Sequence, residues 1–581
     1  MSQASGLDSG VLPEKGGRWR LDLTAEDGGR LVGLFLDSLR EVREGRTVPS
    51  RTQAAEPSGP PVFVTVYQDP LPVRRIGARE ETLEAGVQQA AGSVIEALGT
   101  RVAPERVRVR VDVVSKMRPF GVDERVAFAR ETMGKPCGLA LKTRGGQWRL
   151  LLPADMLRSD IETNLDMLHA MCRRAGLPRD AWQSPEVELW RLDVTGFVND
   201  APGGRRALAS ERGLASLGEP DVAMIERSCR MAAGYLLTTQ EEDGSFPMFW
   251  DPATGLQGGC ESLVLDLAAV GALSAFCEFR PDASSLKACH RALSYGLRFT
   301  NMDERRPRMG FTSAEEVCHK AWELEETAQL LEGICRYRHA GGRQETEGWL
   351  GALAEFLLHM QREDGRFEVR YDPKSGERST PPRGFDPVVA QARAATALAL
   401  ARRELQEDRF LAGAHRALEA LSGERAPLSA ERARWVMTAM AELDAVLGEN
   451  PYSDWAADVA GQRREAQIGE GQALAADLVG GTLASYPPTA AETADDLIVF
   501  ATAAAMGLGE ENLAAAERAA RFLVESQFLP ENSYYLPQPE GPAGGFRNGP
   551  ASNVIRIQSM DSALRGMVLL TRLMLREQTD D

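Results

Sequence analysis

The chain has 581 residues, with 84 acidic and 67 basic side chains, a net charge of -17 at pH 7 and a hydrophobic content of 43%. This composition is ordinary for a globular protein of several domains, and the acidic balance argues against nucleic acid or an anionic membrane as a partner. No apolar run reaches the roughly 18 to 20 residues that cross a bilayer, and the start lacks the features of a secretion signal. We therefore expect a cytoplasmic protein.

The charge is distributed unevenly along the chain. Residues 1–219 hold 30 acidic and 31 basic side chains, a net +1, so subtraction from 84 and 67 leaves 54 and 36, a net -18, for residues 220–581. Strand-like alternation gives way to helical periodicity at the same place. We therefore predict a flexible N-terminus over 1–19, an α+β domain over 20–198, a Gly- and Arg-rich linker over 199–219 and an all-α domain over 220–581.

The first domain alternates helix and strand patterns. Apolar spacing after Thr24, a plausible N-cap, predicts a helix over 23–44, and a β-branched run predicts a strand over 62–67. The run RVRVRVDVVS at 106–115 alternates Val with polar residues, which indicates a half-buried strand whose arginines face solvent. The other predicted elements are a helix over 82–98, a hairpin over 137–153, a helix over 161–175 and a strand over 187–194.

The order of these elements and the run LDMLHAMCRRAGLPRDAWQSPEVELWRLDVTGF at 165–197 resemble the AMMECR family over roughly residues 20–200. The resemblance implies a cleft lined by an Arg-Gly-Cys-Ile-Gly stretch after the first strand. Here the stretch corresponds to Val73, Arg74, Arg75, Ile76 and Gly77, and only Ile76 and Gly77 agree. Since the cysteine, the strong nucleophile of that motif, is absent, we expect this cleft to serve docking or structure.

The cysteines do not form a metal-binding pattern. Eight are scattered without a CxxC, mostly in apolar helical runs, so we expect buried, reduced thiols. Cys289-His290 and Cys318-His319 could be imagined as a zinc set, but adjacent residues on a helix diverge by about 100° and rarely share one ion. We expect neither a metal nor a cofactor.

The sequence of the second domain predicts helices that are separated by long and short loops. Long connections after the odd-numbered helices alternate with short ones, which is typical of an (α/α)6 six-hairpin barrel whose long loops gather around one mouth. The periodicity predicts twelve helices, over 221–240, 260–279, 284–300, 315–338, 345–361, 387–405, 408–421, 428–447, 453–468, 491–507, 511–527 and 554–576.

Two of the long loops repeat each other. The first copy, at 237–255, is LTTQEEDGSFPMFWDPATG, and the second, at 358–376, is LHMQREDGRFEVRYDPKSG. Asp243 and Asp364 occupy the same position in the two copies, 121 residues apart, and residues 524–546 form a weaker third copy. The repeat can be explained without catalysis. In each copy a Gln ends a helix, an Asp-Gly turn follows, and an Asp-Pro-x-x-Gly turn closes a short hairpin. The loops and the run at 553–564 resemble those of six-hairpin glycosidases and uronyl epimerases, and of the related terpene cyclase and protein prenyltransferase toroids.

This second resemblance implies a glycan or other small sugar-like substrate in the mouth. Glycoside hydrolysis needs two carboxyl groups about 5 to 9.5 Å apart. Our candidates are Asp386, Glu492 and Asp495, at predicted starts of inner helices, although capping and the helix dipole also favour acids there. For substrate contacts we nominate Trp250, Tyr371, Arg383, Tyr534, Arg547 and Arg556.

Two other functions remain open. A degenerate barrel joined to a degenerate AMMECR-like domain would be a non-catalytic scaffold for protein partners. A terpene cyclase of the protonating type needs an Asp-x-Asp-Asp run and an aromatic cavity, whereas the nearest run is Glu492–Asp496 and aromatic residues make up 6% of the chain. The net -18 of the second domain suits neutral glycans or a basic partner better than polyanions.

Overall fold

The structure is a computed structural model of the chain. It describes residues 11–46, 57–68, 73–131, 136–158, 161–210, 212, 214–258, 262–314, 322–342, 347–380, 386–423, 427–448, 451–472, 475–484, 487–536, 538 and 540–580. No helix within these ranges is long and apolar enough to span a membrane.

The N-terminal part is an antiparallel sheet flanked by helices. Its strands are β1 (Gly17–Arg18), β2 (Val62–Tyr67), β3 (Arg74–Ala78), β4 (Arg108–Pro119), β5 (Gly138–Lys142), β6 (Trp148–Leu151), β7 (Glu188–Asn199) and β8 (Ala207–Ser210). The order is β3-β2-β4-β7-β5-β6, with β1 also on β4 and β8 also on β7. The helices are α1 (Ala25–Arg43), α2 (Leu83–Leu98), α3 (Val122–Arg130), α4 (Asp155–Arg158) and α5 (Asn164–Arg174). We call residues 11–219, where described, the sheet unit.

Most of the predicted elements of the sheet unit are present. Thr24 caps α1 through a reciprocal capping box with Asp27, and β2 has the predicted bounds. Three strands were not predicted: β1, which lies within the predicted N-terminal segment, β3, which carries the motif positions Arg74 to Gly77, and β8, which lies within the predicted linker and pairs with β7. Within the segment predicted to be flexible, Val11 and Leu12 are buried in one apolar cluster with Phe63.

Two arginines of β4, Arg108 and Arg110, are buried, so the expectation that they face solvent was wrong, whereas Arg106 just before the strand is exposed. Arg110 is fully buried, and its Nε donates to Asp112 Oδ1 at 2.9 Å. Arg108 is 6% exposed and donates from Nη2 to the Pro530 carbonyl at 2.8 Å. Ser210 of β8 and Pro530 of a loop of the second domain contact these two arginines, and ion pairing and hydrogen bonds replace the lost hydration.

The second part contains the helical barrel that the sequence predicts. The described helices are α6 (Val222–Thr239), α7 (Leu263–Phe279), α8 (Ala283–Leu297), α9 (Glu323–His339), α10 (Glu347–Met360), α11 (Pro387–Leu405), α12 (Asp408–Ser422), α13 (Ala430–Leu447), α14 (Ser453–Glu465), α15 (Ala490–Ala505), α16 (Glu510–Ser526) and α17 (Ile557–Asp580). Helices α7, α9, α11, α13, α15 and α17 form an inner ring, which closes because α17 packs on α7. The alternate helices pack outside it, as an (α/α)6 barrel requires.

Short strands occupy the long loops, which lie at the N-terminal ends of the inner helices. They are β9 (Phe249–Asp251), β10 (Leu256–Gly258), β11 (Thr300–Met302), β12 (Gly310–Thr312), β13 (Arg370–Asp372), β14 (Glu377–Ser379), β15 (Arg547–Gly549) and β16 (Ser552–Arg556). The hairpins β9-β10 and β13-β14 are those predicted from the loop repeat. Strand β16 pairs with β9, which joins the last long loop to the first.

Glutamines at the ends of four outer helices clasp neighbouring hairpins together. Each side-chain amide donates to a loop glycine and to a carbonyl of the next outer helix: Gln240 to Gly244 and Ala288, Gln361 to Gly365 and Gly413, Gln467 to Gly480 and Ala515, and Gln527 to Gly544 and Ser228. All four loop glycines have positive φ and press against that helix. The clasp of Gln527 reaches back to α6 and so closes the outer ring.

The sheet unit packs against the barrel at the loops that precede α15 and α17. The ring of Tyr67 meets that of Tyr534 edge-on, 5.0 Å between centroids, and Asn553 Nδ2 donates to the Leu157 carbonyl at 2.6 Å. Arg212, fully buried, forms an ion pair with Asp477. Apolar residues of these loops also join the core beneath α5.

Candidate active site

A cavity of about 250 Å³ lies at the N-terminal ends of the inner helices, on the long-loop side. Its lining combines one aromatic ring, several acids and one arginine: Ser262, Leu263, Val264, Leu265, Trp322, Glu325, Glu326, Arg393 and Glu431. Residues of four elements converge here because the first turns of α7, α9 and α13 and the second turn of α11 share this end of the ring. We call this set the mouth site.

Arg393 joins two carboxylates of the mouth site. Its Nη1 donates to Glu325 Oε1 at 3.0 Å, and its Nη2 lies 3.8 Å from Glu431 Oε1. The side chains of Arg393 and Glu325 are 8% and 15% exposed, whereas that of Glu431 is 43% exposed. Burial raises the pKa of Glu325, Arg393 opposes this, and the nearby charges of Glu431 and Asp386 add to it. The mouth site therefore combines a carboxyl group with a raised pKa, that of Glu325, with the more solvent-exposed carboxylates of Glu431 and Asp386.

Trp435 separates the mouth site from the barrel axis. The guanidinium of Arg393 lies 4.5 Å from its ring centroid and that of Arg434 lies 4.7 Å from it. The ring is 1% exposed, and its Nε1 has no hydrogen-bond partner among the described residues.

Beyond Trp435, charges of alternating sign connect the inner helices, and all of them except the terminal Arg403 are buried or partly buried. We name the following set the axial ion chain, with successive members in contact: Asp495, Arg434, Asp561, Arg565, Glu332, Arg336, Glu442 and Arg403. Burial raises the pKa of Asp495 to about 6, although Arg434 and Ser562 oppose it. Burial also acts on Glu332, but Arg565 and Arg336 outweigh it and lower that pKa to about 2. The pKa values of the carboxyl groups in the axial ion chain are therefore shifted in opposite directions, upward for Asp495 and downward for Glu332.

The three nominated carboxylates all lie at starts of inner helices, in different settings. Asp386 caps α11, is 38% exposed and accepts from Arg432 Nε at 2.7 Å at the rim of the mouth site. Glu492 accepts from the Thr489 hydroxyl at 2.9 Å in the first turn of α15. Asp495 belongs to the axial ion chain and accepts from Ser562 Oγ at 2.7 Å. Of the three, only Asp386 is close enough to affect Glu325.

The nominated substrate contacts do not assemble at the mouth site. Trp250 stacks on Tyr235 with 6.4 Å between centroids, and Tyr371 is buried with its hydroxyl donating to Asp303. Tyr534 faces the sheet unit, and Arg556 is exposed at the end of β16. Arg383 lies outside the described residues.

Arg547, the remaining nominated contact, is fully buried. It donates to the carbonyls of Ser526 at 3.3 Å, Gln527 at 3.2 Å and Asn532 at 2.7 Å. Its guanidinium lies 3.9 Å from the ring centroid of Phe528. It holds the loop before α17 in place.

The predicted cleft of the sheet unit lies on β3. Arg75 donates from both terminal nitrogens to Asp155 at 2.8 Å, and Arg174 reaches the same carboxylate at 3.1 Å. Burial of Asp155 is outweighed by these two cations, which hold its pKa far below the usual range. Arg74 and Ile76 are partly buried, and Phe63 leaves no room for a side chain at Gly77. The cleft positions hold an internal ion cluster.

Sequence reasoning missed Trp322, Glu325, Arg393 and Glu431. The helix predicted to begin at 315 begins at Glu323, so Trp322 and its following acids form the first turn. The run WELEE at 322–326, an aromatic residue before three acids, is the available local signal. Within the described residues, His, Cys, Asp and Glu side chains form no group of three that could hold a metal, and Cys260 and Cys318 lie outside them.

No family model matches the chain. Protein MK0488 of Methanopyrus kandleri is 27% identical over 212 residues, which is 33% of this chain and 98% of that protein. The crystal structure of uncharacterized protein PH0010 from Pyrococcus horikoshii is 21% identical, with a TM-score of 0.26, over 32% of this chain and 98% of that one. Almost the whole length of MK0488 thus aligns with about a third of this chain.

The similarity to toroidal enzymes covers a larger share of this chain. A family 76 glycoside hydrolase from a bovine Bacteroides thetaiotaomicron strain is 8% identical, with a TM-score of 0.44, over 81% of this chain and 96% of that one. Cellobiose 2-epimerase from Spirochaeta thermophila is 13% identical, with a TM-score of 0.42, over 61% of this chain and 98% of that one. The barrel assignment itself rests on the closed ring of inner helices.

Proposed function

We propose that the barrel is a carbohydrate-active domain, glycosidase- or epimerase-like, which binds a sugar or sugar-like molecule at the mouth site. The observation that carries the proposal is the grouping of Glu325, Glu431 and Asp386 around Arg393 and Arg432 beside an open cavity. Acid–base work on a sugar needs one protonated carboxyl and one ionised carboxylate in neighbouring positions. Trp322 supplies an aromatic wall of the kind that small-molecule sites use.

In this proposal Glu325 is the proton donor. Its raised pKa keeps more of it protonated at neutral pH than an exposed carboxyl would be. In hydrolysis it would protonate the leaving oxygen, while Glu431 or Asp386 would activate water or attack the anomeric carbon. In epimerisation the ionised partner would remove the carbon-bound proton. Arg393 would position both carboxylates.

Glu325→Gln and Glu431→Gln test this proposal, with Glu419→Gln on outer helix α12 as the matched control. Purified proteins are screened by thermal shift and product release against neutral and uronic oligosaccharides. We expect a sugar-dependent rise in melting temperature, and turnover that falls by roughly 10²- to 10⁴-fold in the two mouth variants but not in the control. Glu325→Gln turnover equal to that of the control would contradict the assignment.

Two sequence-nominated carboxylates refine the same experiment. Asp386→Asn should reduce turnover less than Glu325→Gln, because Asp386 lies at the rim and binds Arg432. Glu492→Gln should resemble the control, since Glu492 does not line the mouth site and accepts from the capping Thr489. If only Glu492→Gln abolished turnover, the site would lie nearer α15.

We also propose that residues 20–198 form an AMMECR-like accessory domain, joined through 199–219 to a barrel domain over 220–581. The order of helices and strands and the nearly full-length likeness to MK0488 support this division. The internal ion cluster at Arg75 and Asp155 favours a docking role over inherited chemistry. Limited proteolysis should cut first at the exposed ends of the joining segment, at 201–206 or 218–219, because β8 between them is paired with β7; cleavage first inside 220–581 would contradict the boundary.

A non-catalytic scaffold is the second candidate. It is favoured by the packing of the sheet unit over the loops before α15 and α17, where part of the long-loop end is covered. This candidate predicts that no carbohydrate shifts the melting temperature. It also predicts that Glu325→Gln complements a deletion strain as well as the unaltered protein does.

A further inference from the structure

A second open groove, of about 600 Å³, lies outside the inner ring. Arg306, Pro307, Arg308 and Met309 of the loop between α8 and α9 form one side, and Glu355 and His359 of outer helix α10 form the other. Its lining shares no residue with the mouth site. We call it the outer groove.

The arginines of the outer groove have no carboxylate partner among the described residues. Arg306 is exposed and contacts the ring of His359, and Arg378 on β14 donates to the His359 carbonyl. Arg308 is exposed and has no described partner. Arginines of the barrel interior are matched instead by acids, as Arg393 is by Glu325. The guanidiniums of Arg306 and Arg308 are therefore not paired with the lining acid of this groove, Glu355.

The two acids nearest the groove are already engaged. Glu355 forms an ion pair with Arg409, which points away along α10 and α12. Asp303 is 2% exposed and accepts from the Tyr371 hydroxyl and from the backbone amides of Arg305 at 2.9 Å and Arg306 at 2.7 Å. Neither carboxylate is directed at the guanidiniums of Arg306 and Arg308.

The pKa of His359 is also affected by the positive charges of Arg306 and Arg378. Burial lowers its pKa to about 4, with Arg306 and Arg378 adding to the effect and Asp303 opposing it. The imidazole is therefore neutral at pH 7 and keeps one nitrogen with a lone pair and one N–H. It can donate to an anionic oxygen without first accepting a proton.

We infer that the outer groove binds an anionic group, phosphoryl or carboxylate, through Arg306, Arg308 and His359. Planar guanidiniums suit such oxygens because each presents parallel N–H donors. A local positive groove also lets a domain of net -18 hold an anion that its mean field would repel. This site is independent of the proposed sugar chemistry.

The test uses the full-length protein, with inorganic pyrophosphate and citrate as probes of the two anion chemistries. The chain has 6 histidines, so the His359 ring signal can be assigned in proton NMR by comparison with His359→Gln. We expect saturable shifts of that signal and a rise in its apparent pKa on binding. Tighter binding of pyrophosphate would identify phosphoryl, and tighter binding of citrate would identify carboxylate.

Arg306→Gln and Arg308→Gln together should weaken binding at least tenfold. The matched control is Arg144→Gln, which removes a 96% exposed arginine from the sheet unit. Arg308→Gln alone is tested as well, because this exposed residue has no described contact that folding needs. Equal affinity in all variants, or an unmoved His359 signal at saturating probe, would overturn the inference, whatever the mouth site does.

Discussion

Glu525→Gln is expected to stabilise the protein above pH 7 and to have little effect near pH 4.5. Glu525, on α16, is 5% exposed, and its Oε1 accepts from Ser216 Oγ at 3.2 Å and Leu217 N at 3.3 Å. Its nearest cation is Arg521, at 3.9 Å. Burial, with Asp477 adding, raises its pKa to about 7, although Arg521, Ser216 and Leu217 oppose the rise.

The size and sign of the effect follow from proton linkage. The ordinary pKa of 4.5 is raised to about 7 in the folded protein, and roughly 1.4 kcal/mol per unit gives about 3 kcal/mol. Because the folded state holds the proton more tightly, this stability is fully present below pH 4.5. It is lost as pH rises towards 7, when the unfolded chain ionises freely. A glutamine keeps an acceptor for both donors and does not ionise.

The measurement is urea unfolding of Glu525→Gln and the unaltered protein at several pH values between 4.5 and 8. We expect the difference in free energy of unfolding to grow towards pH 7 and then level off. Titrating groups that do not interact with Glu525, such as Asp495, cancel in this difference. Glu510→Gln, at the exposed start of α16, is the control. A difference that does not vary with pH would refute the reasoning.

Two further substitutions test the barrel by urea unfolding. Arg434→Met should lower the free energy of unfolding by about 3 to 5 kcal/mol, because it leaves Asp495 buried without its cation and leaves Asp561 with Arg565 alone; recovery is expected when both acids become asparagine. Gly480→Ala should destabilise by roughly 1 to 3 kcal/mol, since φ is +84° and the new Cβ would lie 1.9 Å from the Arg518 carbonyl oxygen. Its control, Gly461→Ala within α14, should be neutral or stabilising.

The barrel could be predicted because its information is local. Helical periodicity and the alternation of long and short loops can both be seen in the sequence, and each predicted barrel helix overlaps a described one. At two of the Gln clasps the sequence predicted the helix end at Gln240 or Gln361 and the Asp-Gly turn three residues later, but not the bond to the next outer helix. The clasp of Gln467 reaches Gly480 across a longer loop without that turn, so the sequence pattern does not reveal it.

The mouth site could not be predicted, because its contacts join distant parts of the chain. Arg393 and Glu325 are 68 residues apart, and each alone resembles an ordinary surface charge on a helix. Sequence also does not separate an exposed arginine from a buried one. Arg547 was nominated as an anion contact and Arg110 as a solvated residue, yet both are fully buried and bonded.

The distribution of charge limits the substrates that the mouth site can take. The axial ion chain holds four carboxylates and four arginines, so it contributes nothing to the net -18 of the barrel. At the mouth, even with Glu325 protonated as the proposal requires, the carboxylates of Glu326, Glu431 and Asp386 outnumber the guanidiniums of Arg393 and Arg432. A uronic oligosaccharide would meet repulsion there, whereas a neutral one would not. We therefore expect neutral oligosaccharides to bind with little dependence on salt, and preferential uronate binding at the mouth would contradict this placement of charge.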